Sequence, residues 1–363
     1  MTAYDAVVVG NGPSGSVAAC HGSAQYDVLI VGAGERRVEC AGLISRSGMR
    51  RIGVDRRDFV LNSVRGAKIY SPGGVEVVVD GGADTAYAID RPAFDRHLLD
   101  KAVDCGARYA DDWVKSINGQ VTLRSGERIE ANKIVLATGT DYTLQINSGI
   151  PRPREFLIGG QYEMEVECDK DYVELHFRVP DFFAWVIPLG DRARVGLCVK
   201  TNPRPYIDSF VKSLKAQGRL KSDKILAESF GIIPVHDPAL RTQFSNIVTV
   251  GDAAGQVKAS TGGGVIFGAI AAENALSPDY ERIWRKQIGW DMRLHLLIHR
   301  SLNRLSDRGK DRLFSILKEH HRSLERGGDM DFAAQTIKSM LTDRDFMLSA
   351  GANLPWLIAD MIR

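Results

Sequence analysis

The amino-acid sequence predicts an α/β (α+β) fold: a nucleotide-binding lobe, a second lobe built on β-sheet, and a C-terminal helical region. Three observations lead there. An apolar run at residues 4–9 ends in a complete GxGxxG turn, and residues 4–60 and 88–140 alternate short apolar runs with helical stretches. Residues 61–87 and 156–200 are rich in strand formers, as in AKIYSPGGVEVVV, YEMEVEC, YVELHFRV and ARVGLCV. From about residue 281 the spacing turns helical: Trp284, Ile288, Met292 and Leu296 recur at i, i+4, and Leu294, Ile298, Leu302 and Leu305 continue the stripe. The boundaries that follow are 1–60, 88–150 and 245–280 for the nucleotide-binding lobe, 61–87 and 151–244 for the sheet lobe, and 281–363 for the helices.

The first element carries the clearest chemistry. After Val7–Val9 comes Gly10-Asn11-Gly12-Pro13-Ser14-Gly15. Gly10 permits the tight turn, Gly12 has no Cβ to obstruct a pyrophosphate, and Gly15 lets the next helix lie close to the strand. Pro13 and Ser14 open the next helix, whose first NH groups are aimed at the phosphates. A second string, YDVLIVG at 26–32, resembles the first but continues Gly32-Ala33-Gly34-Glu35-Arg36-Arg37, with arginine in place of the third glycine. It reads as the neighbouring strand. At its end an acid usually takes the adenosine ribose hydroxyls. That place falls near Gly32, with Glu35 the nearest acid, so the ribose contact is missing or displaced.

Bulk properties exclude several classes. With 363 residues, 44% hydrophobic and 25% charged, the chain has an ordinary globular composition and enough length for a large core. A formal charge of +2 and the lack of any nucleic-acid-binding motif argue against a nucleic-acid partner. The opening MTAYDAVVVG lacks a basic n-region and cleavage site, and no uncharged apolar run approaches membrane-spanning length. Five cysteines are scattered without a CxxC pair, so neither a disulfide framework nor a zinc site is expected, and a reducing cytoplasm fits. Cys20, Cys105, Cys168 and Cys198 are assigned to packing. His295 and His299 lie four apart on a helix without an acid beside them, so no metal is expected there.

The second half of the nucleotide site stands far along the chain, in NIVTVGDAAGQVKASTGGGVIFGAIAAENA at 246–275. An apolar strand runs into Gly251-Asp252. An aspartate there can accept hydrogen bonds from ribityl hydroxyls while backbone NH groups face phosphate. The run Gly262-Gly263-Gly264 precedes a helix over 265–275, whose N-terminus suits the negative charge of a reduced flavin ring.

With these stretches in view the sequence resembles the FAD-dependent geranylgeranyl reductase family, whose fold is that of p-hydroxybenzoate hydroxylase. The likeness is carried, in order, by VVVGNGPSGSVAA, CAGLISRSGMRRIGV, KIYSPGG, DRPAFDRHLLDKAVDCGA, FFAWVIPLGDRARVGLCV and the VGDAAG…TGGG block. It implies a Rossmann-like FAD-binding lobe, with Gly10, Gly12 and Gly15 at the pyrophosphate and Asp252 and Gly262–Gly264 near the ribityl chain and ring. It places an arginine like Arg91 close to FAD, with Pro92 in the first turn of a helix that buries Phe94 and Leu98. A solvent-exposed Arg91 is the plainer alternative.

In the same family a cysteine like Cys40, in Glu39-Cys40-Ala41-Gly42-Leu43, faces the flavin and the reacting double bond, so Cys40 is the candidate catalytic residue and Cys40 and Ala41 join the cofactor set. A small buried hydrophobe is the ordinary fate of a free cysteine. Phe183, Trp185, Ile187 and Pro188 match a Tyr-x-Trp-x-Phe-Pro motif that contacts the lipid chain, with phenylalanine for tyrosine and isoleucine for an aromatic. The stretch also resembles the Trp-x-Trp-x-Ile-Pro motif of flavin-dependent halogenases.

The resemblance implies reduction of isolated C=C bonds in a prenyl lipid or prenyl diphosphate. No second GxGxxG is present, so the electron donor is expected to be a small redox protein such as ferredoxin, or transiently bound NAD(P)H. Basic residues between 282 and 326 admit peripheral membrane contact, although a solvated helix face is the simpler reading. The rival functions are a flavin monooxygenase or halogenase of the same fold, and a non-enzymatic lipid-binding descendant. The second is suggested by the absent ribose acid and by a first helix, SVAACHGSAQ, that is short and poorly amphipathic.

Overall fold

The computed structural model describes residues 2–34, 38–55, 58–327 and 329–362. The chain divides into two compact units, each assembled from three segments: Met1–Val38, Arg91–Phe156 and Ile233–Arg293 in the first, Glu39–Asp90, Leu157–Ile232 and Leu294–Arg363 in the second.

In the first unit an eight-stranded sheet has the core order Gln243–Phe244, Ile247–Thr249, Arg128–Leu136, Thr2–Val9, Val28–Val31, Arg108–Ala110. The last five of these are parallel to one another, and the hairpin Val114–Ile117/Val121–Leu123 extends the sheet from Arg128–Leu136. The parallel strands are buried apolar runs such as Val28–Val31, as expected of a sheet covered on both faces. The helix Pro13–Gly22 packs against the helices Arg91–Asp104 and Val265–Ala272 as well as the sheet. Its poor amphipathicity has a simple cause. Seven of its ten residues are buried, so it has no broad wet face to mark with polar side chains.

That packing also overturns one expectation. Cys20, at the end of this helix, and Cys105, just after Arg91–Asp104, are joined by a disulfide with Cα atoms 5.1 Å apart. Two cysteines 85 residues apart carry no spacing signal, and only the juxtaposition of the two helix ends brings them together. Cys168 and Cys198 remain free thiols, and burial pushes both above the ordinary thiol range.

In the second unit a seven-stranded sheet runs Leu220–Pro234, Phe156–Val166, Ala193–Val199, Ala184–Pro188, Tyr172–His176, Gly66–Tyr70, Glu76–Asp80. One face packs on the amphipathic helix Arg204–Ala216 through Ala184, Val186, Val195 and Leu197 against Ile207, Phe210 and Leu214. A smaller sheet pairs Ala86–Ile89 with both Leu43–Ser45 and Val60–Val64. These pairings draw residues 39–64 into the second unit, so the first crossing lies at Val38/Glu39 and not near residue 60. The helices Asp307–Glu319, His321–Gly327, Ala333–Thr342 and Arg344–Ile362 belong to the second unit too, and do not form a separate body.

The helix Tyr280–Arg304 buries Trp284, Ile288, Met292 and Leu296 along the expected stripe. His295 and His299 are buried on it as well. His295 Nε2 lies 2.9 Å from the Asp331 carbonyl, and the Asn303 amide donates to His299 Nε2 at 3.2 Å. Among the described residues, no helix is long and apolar enough to cross a membrane.

Candidate active site

The first unit brings together the two distant halves of the glycine motif. The parallel strands end in one row, because Val9 stands opposite both Val31 and Leu136, and Leu136 opposite Thr249. Ladder bonds continue one step further: Gly10 N donates to Val31 O at 2.8 Å, Ala137 N to Val9 O at 2.8 Å and Val250 N to Leu136 O at 3.0 Å. Gly10 and Gly251 therefore leave the same edge of the sheet, the carboxyl edge where ligands of open α/β sheets bind.

The turn at Gly10 demands glycine twice over. Its φ is +110°, and a Cβ there would lie 2.2 Å from Ala137 O. A Cβ at Gly15 would lie 1.9 Å from Gly10 O, so the helix approaches the turn at backbone contact. Gly12 is the N-cap, Pro13 opens the helix, and no side chain caps the first NH groups, which suits them to an anion.

At the other half, Gly251 has φ +66°, and the Ser14 hydroxyl lies 2.5 Å from where Cβ atoms at Gly251 and at Gly268 would be. The start of the first helix thus abuts both the Gly251 turn and the helix Val265–Ala272. Asp252 lies against the third glycine of the run, with Oδ1 2.6 Å from a Cβ position at Gly264. The turn is braced from behind: Gly251 N donates to Gln256 Oε1 at 2.7 Å, and the Gln256 amide donates to Tyr280 OH at 2.9 Å. Tyr142 OH donates to Asp252 O at 3.1 Å, and burial holds that phenol well above its ordinary pKa, so it stays neutral. His236 donates from Nδ1 to Gly255 O at 3.2 Å, and burial lowers its pKa to about 4.

At the far end of the row, Gly32 lies at the close of its strand, and the Asn11 amide donates to Ala33 O at 2.8 Å. Tyr109 OH donates to Gly32 O at 2.8 Å, while Gly34 N donates to Asp111 Oδ1 at 2.8 Å. Glu35, expected as the nearest acid, lies outside the described residues. Arg91 is not the exposed helix-start charge of the plainer reading. It is buried and paired with Asp95, with Nη2 3.1 Å and Nε 3.2 Å from Oδ1.

Cys40 and Ala41 belong to the second unit, as do Phe183, Trp185, Ile187 and Pro188. Cys40 is half-buried and its sulfur accepts Gly42 N–H at 3.3 Å. Phe183, Trp185, Ile187 and Pro188 are all buried, on or beside the strand Ala184–Pro188. Trp185 pairs with Gly196, whose missing side chain leaves room for the indole, since a Cβ there would lie 2.5 Å from Trp185 Cζ2. The indole donates to Gln161 Oε1 at 3.1 Å. Phe183 stacks on Phe182 at 4.1 Å and meets Trp185 edge-on at 6.4 Å. Alternation along the strand sets Trp185 and Ile187 on the face away from the helix Arg204–Ala216.

No family model matches the chain. It is 30% identical to the digeranylgeranylglycerophospholipid reductase of Methanocaldococcus jannaschii, over 87% of this chain and 91% of the relative. The chain belongs to the digeranylgeranylglycerophospholipid reductase family. A second such reductase, from Methanothermobacter thermautotrophicus, is 29% identical over 87% of this chain and 92% of its own length. Among solved structures, a geranylgeranyl bacteriochlorophyll reductase-like protein from Thermoplasma acidophilum matches with a TM-score of 0.81 at 22% identity, covering 97% of this chain and 99% of that one. A flavin-dependent brominase matches with a TM-score of 0.65 at 15% identity, covering 98% and 99%. The fold is that of flavoproteins, and this member of the family is an oxidoreductase.

Two buried cations escape the sequence reading of this family member. Lys258 is 2% exposed, with Nζ 3.1 Å from a Cβ position at Gly263, inside the glycine run itself. Arg194 is 8% exposed on the strand beside Trp185. Alternation in Ala193–Val199 was the available signal, because it puts Arg194 on the face of Ile187.

Proposed function

We propose that this chain is an FAD-dependent reductase that hydrogenates isolated C=C bonds of geranylgeranyl chains in lipids or prenyl diphosphates. The observation that carries the reading is the joining of the Gly10 turn and the Gly251–Asp252 turn at one sheet edge, in a member of a family named for this substrate. The residues present suit FAD: an uncapped helix N-terminus for the pyrophosphate, glycines where a Cβ would block close approach, and Asp252 as an acceptor for ribityl hydroxyls.

Bound and reduced, the cofactor supplies the hydride. The chain's own residues do the rest. Trp185, Phe183 and Ile187 offer flat apolar surface, which is all that an unactivated polyprenyl chain can be held by. Cys40 holds the proton for the second alkene carbon, its sulfur oriented by the Gly42 N–H. Electrons come from NAD(P)H or a ferredoxin-like protein.

The test is anaerobic incubation of the FAD-loaded, chemically reduced protein with a digeranylgeranylglycerophospholipid, followed by mass spectrometry. The expected result is a gain of two hydrogens per double bond reduced. Turnover that needs oxygen would instead indicate a monooxygenase or halogenase. A protein that neither carries nor acquires flavin absorbance would be a lipid binder without this chemistry.

A further inference from the structure

Arg194 stands in register between Glu163 on one neighbouring strand and Ile187 on the other. Its Nε donates to Glu163 Oε1 at 3.0 Å. Its Nη1 donates to two main-chain carbonyls outside the sheet, Ala41 O and Ile89 O, each at 3.0 Å. Ile89 N in turn donates to Gly42 O at 2.8 Å, so the segment after Cys40 is tied to Ile89 both directly and through the guanidinium. Gly42 has φ +67°, and a Cβ there would lie 2.3 Å from Arg194 Nη1 and 2.8 Å from Ile89 O. The tip of the arginine thus fills the space in which a Cβ at residue 42 would stand.

This is an unusual place to keep a cation. A guanidinium buried on an apolar strand loses its hydration and recovers it only through directed acceptors. Here those acceptors are one carboxylate, the Ala41 carbonyl of the Cys40 turn and the Ile89 carbonyl of the strand Ala86–Ile89. The planar fork makes the geometry rigid, which an ammonium on a flexible stem does not.

We propose that Arg194 is a positioning residue, clamping the Cys40–Ala41–Gly42 turn onto the sheet face that carries Trp185 and Ile187 and so setting where the Cys40 thiol stands. The inference rests on the reading of Cys40 as proton donor. It concerns the placement of the sulfur, not the binding of cofactor or lipid.

Two readouts on the FAD-loaded protein test it: steady-state reduction of the prenyl lipid, and alkylation of Cys40 by iodoacetamide followed by peptide mass mapping. Arg194→Met is expected to lower kcat by about 100-fold with KM little changed, the effect of misplacing a reacting group by an ångström or so. Alkylation of Cys40 is expected to become faster as the turn loosens. Arg194→Lys, which can still reach one carbonyl, should recover part of both. Should Arg194→Met fail to fold, Arg194→Lys and Glu163→Gln read the same quantities at smaller amplitude. A folded Arg194→Met protein with unchanged kcat and unchanged alkylation overturns the proposal, and so does an effect confined to KM. If the wild type reduces no prenyl lipid yet the variants alter Cys40 alkylation, the proposed reaction fails and the clamp stands. If the wild type is active and alkylation does not respond, the clamp fails and the reaction stands.

Discussion

Asn11 occupies the space in which a side chain at Gly32 would have to stand. A Cβ at Gly32 would lie 2.7 Å from Asn11 Cγ and 2.8 Å from its Oδ1, and the same amide is held by its bond to Ala33 O at 2.8 Å. The end of the second strand therefore has no room at residue 32 for the acid that usually stands there while Asn11 keeps this place.

An acid placed at residue 32 alone should fail. Gly32→Glu is expected to cost about 1–3 kcal/mol by overpacking against Asn11 and to leave FAD affinity no better. Pairing it with Asn11→Ala should relieve most of that cost. Thermal denaturation and fluorescence titration with FAD check both, and a single variant of unchanged stability with tighter FAD binding would contradict the packing argument.

The Cys20–Cys105 bond should be visible by thiol counting. In denaturant without reductant, three of the five cysteines are expected to react with a thiol reagent, and all five after reduction. Replacing both partners by serine should lower stability by about 2–4 kcal/mol, the usual worth of a cross-link closing a long loop. Five reactive thiols before reduction would show the pair to be open.

Trp185 and Gly196 form a matched pair across two strands. Gly196→Ala places a methyl 2.5 Å from the indole and should force it aside, lowering kcat/KM for a prenyl lipid while the protein stays folded. Trp185→Phe removes the bond to Gln161 and should cost about 1 kcal/mol. An alanine at 196 without effect on turnover would remove Trp185 from the lipid site.

His236 ties stability to pH. Burial lowers its pKa from 6.5 to about 4, so the unfolded chain binds a proton that the folded one refuses between those values. Stability is thus complete above about pH 6.5 and falls as pH drops towards 4, by at most about 3 kcal/mol from this residue. His236→Gln should flatten the melting temperature over that window. An equally steep fall in the variant would assign the loss to other groups.

Much of this architecture is written in local pattern. The Gly10–Gly15 turn is legible because a tight turn, a close phosphate approach and close helix packing each need glycine at a fixed offset. The Trp284–Leu296 stripe is legible because helical periodicity survives in one dimension. What stayed hidden depends on contacts between distant segments. Cys20 meets Cys105 only through the packing of two helices, and Asn11 occupies an unspecified position of its motif. Arg194, in GDRARVG, looks like any alternating surface charge until its strand has neighbours. The first crossing between units moved from near 60 to Val38 because Leu43–Ser45 and Val60–Val64 pair with Ala86–Ile89, a choice no local signal records.

The single row of strand ends has a consequence for how the chain is made. Its members close near residues 9, 31, 136 and 249, so the turn that leaves the ribosome first is finished among the last. Until Gly251 and Gly268 have been synthesised, the Ser14 end of the first helix lacks the wall it rests on, and the helix lacks its neighbour Val265–Ala272. Closure of this edge is a contact of high sequence separation, of the slow and collapse-prone kind. The edge at which the proposed FAD site would stand is therefore closed only once the chain has been made through Gly268.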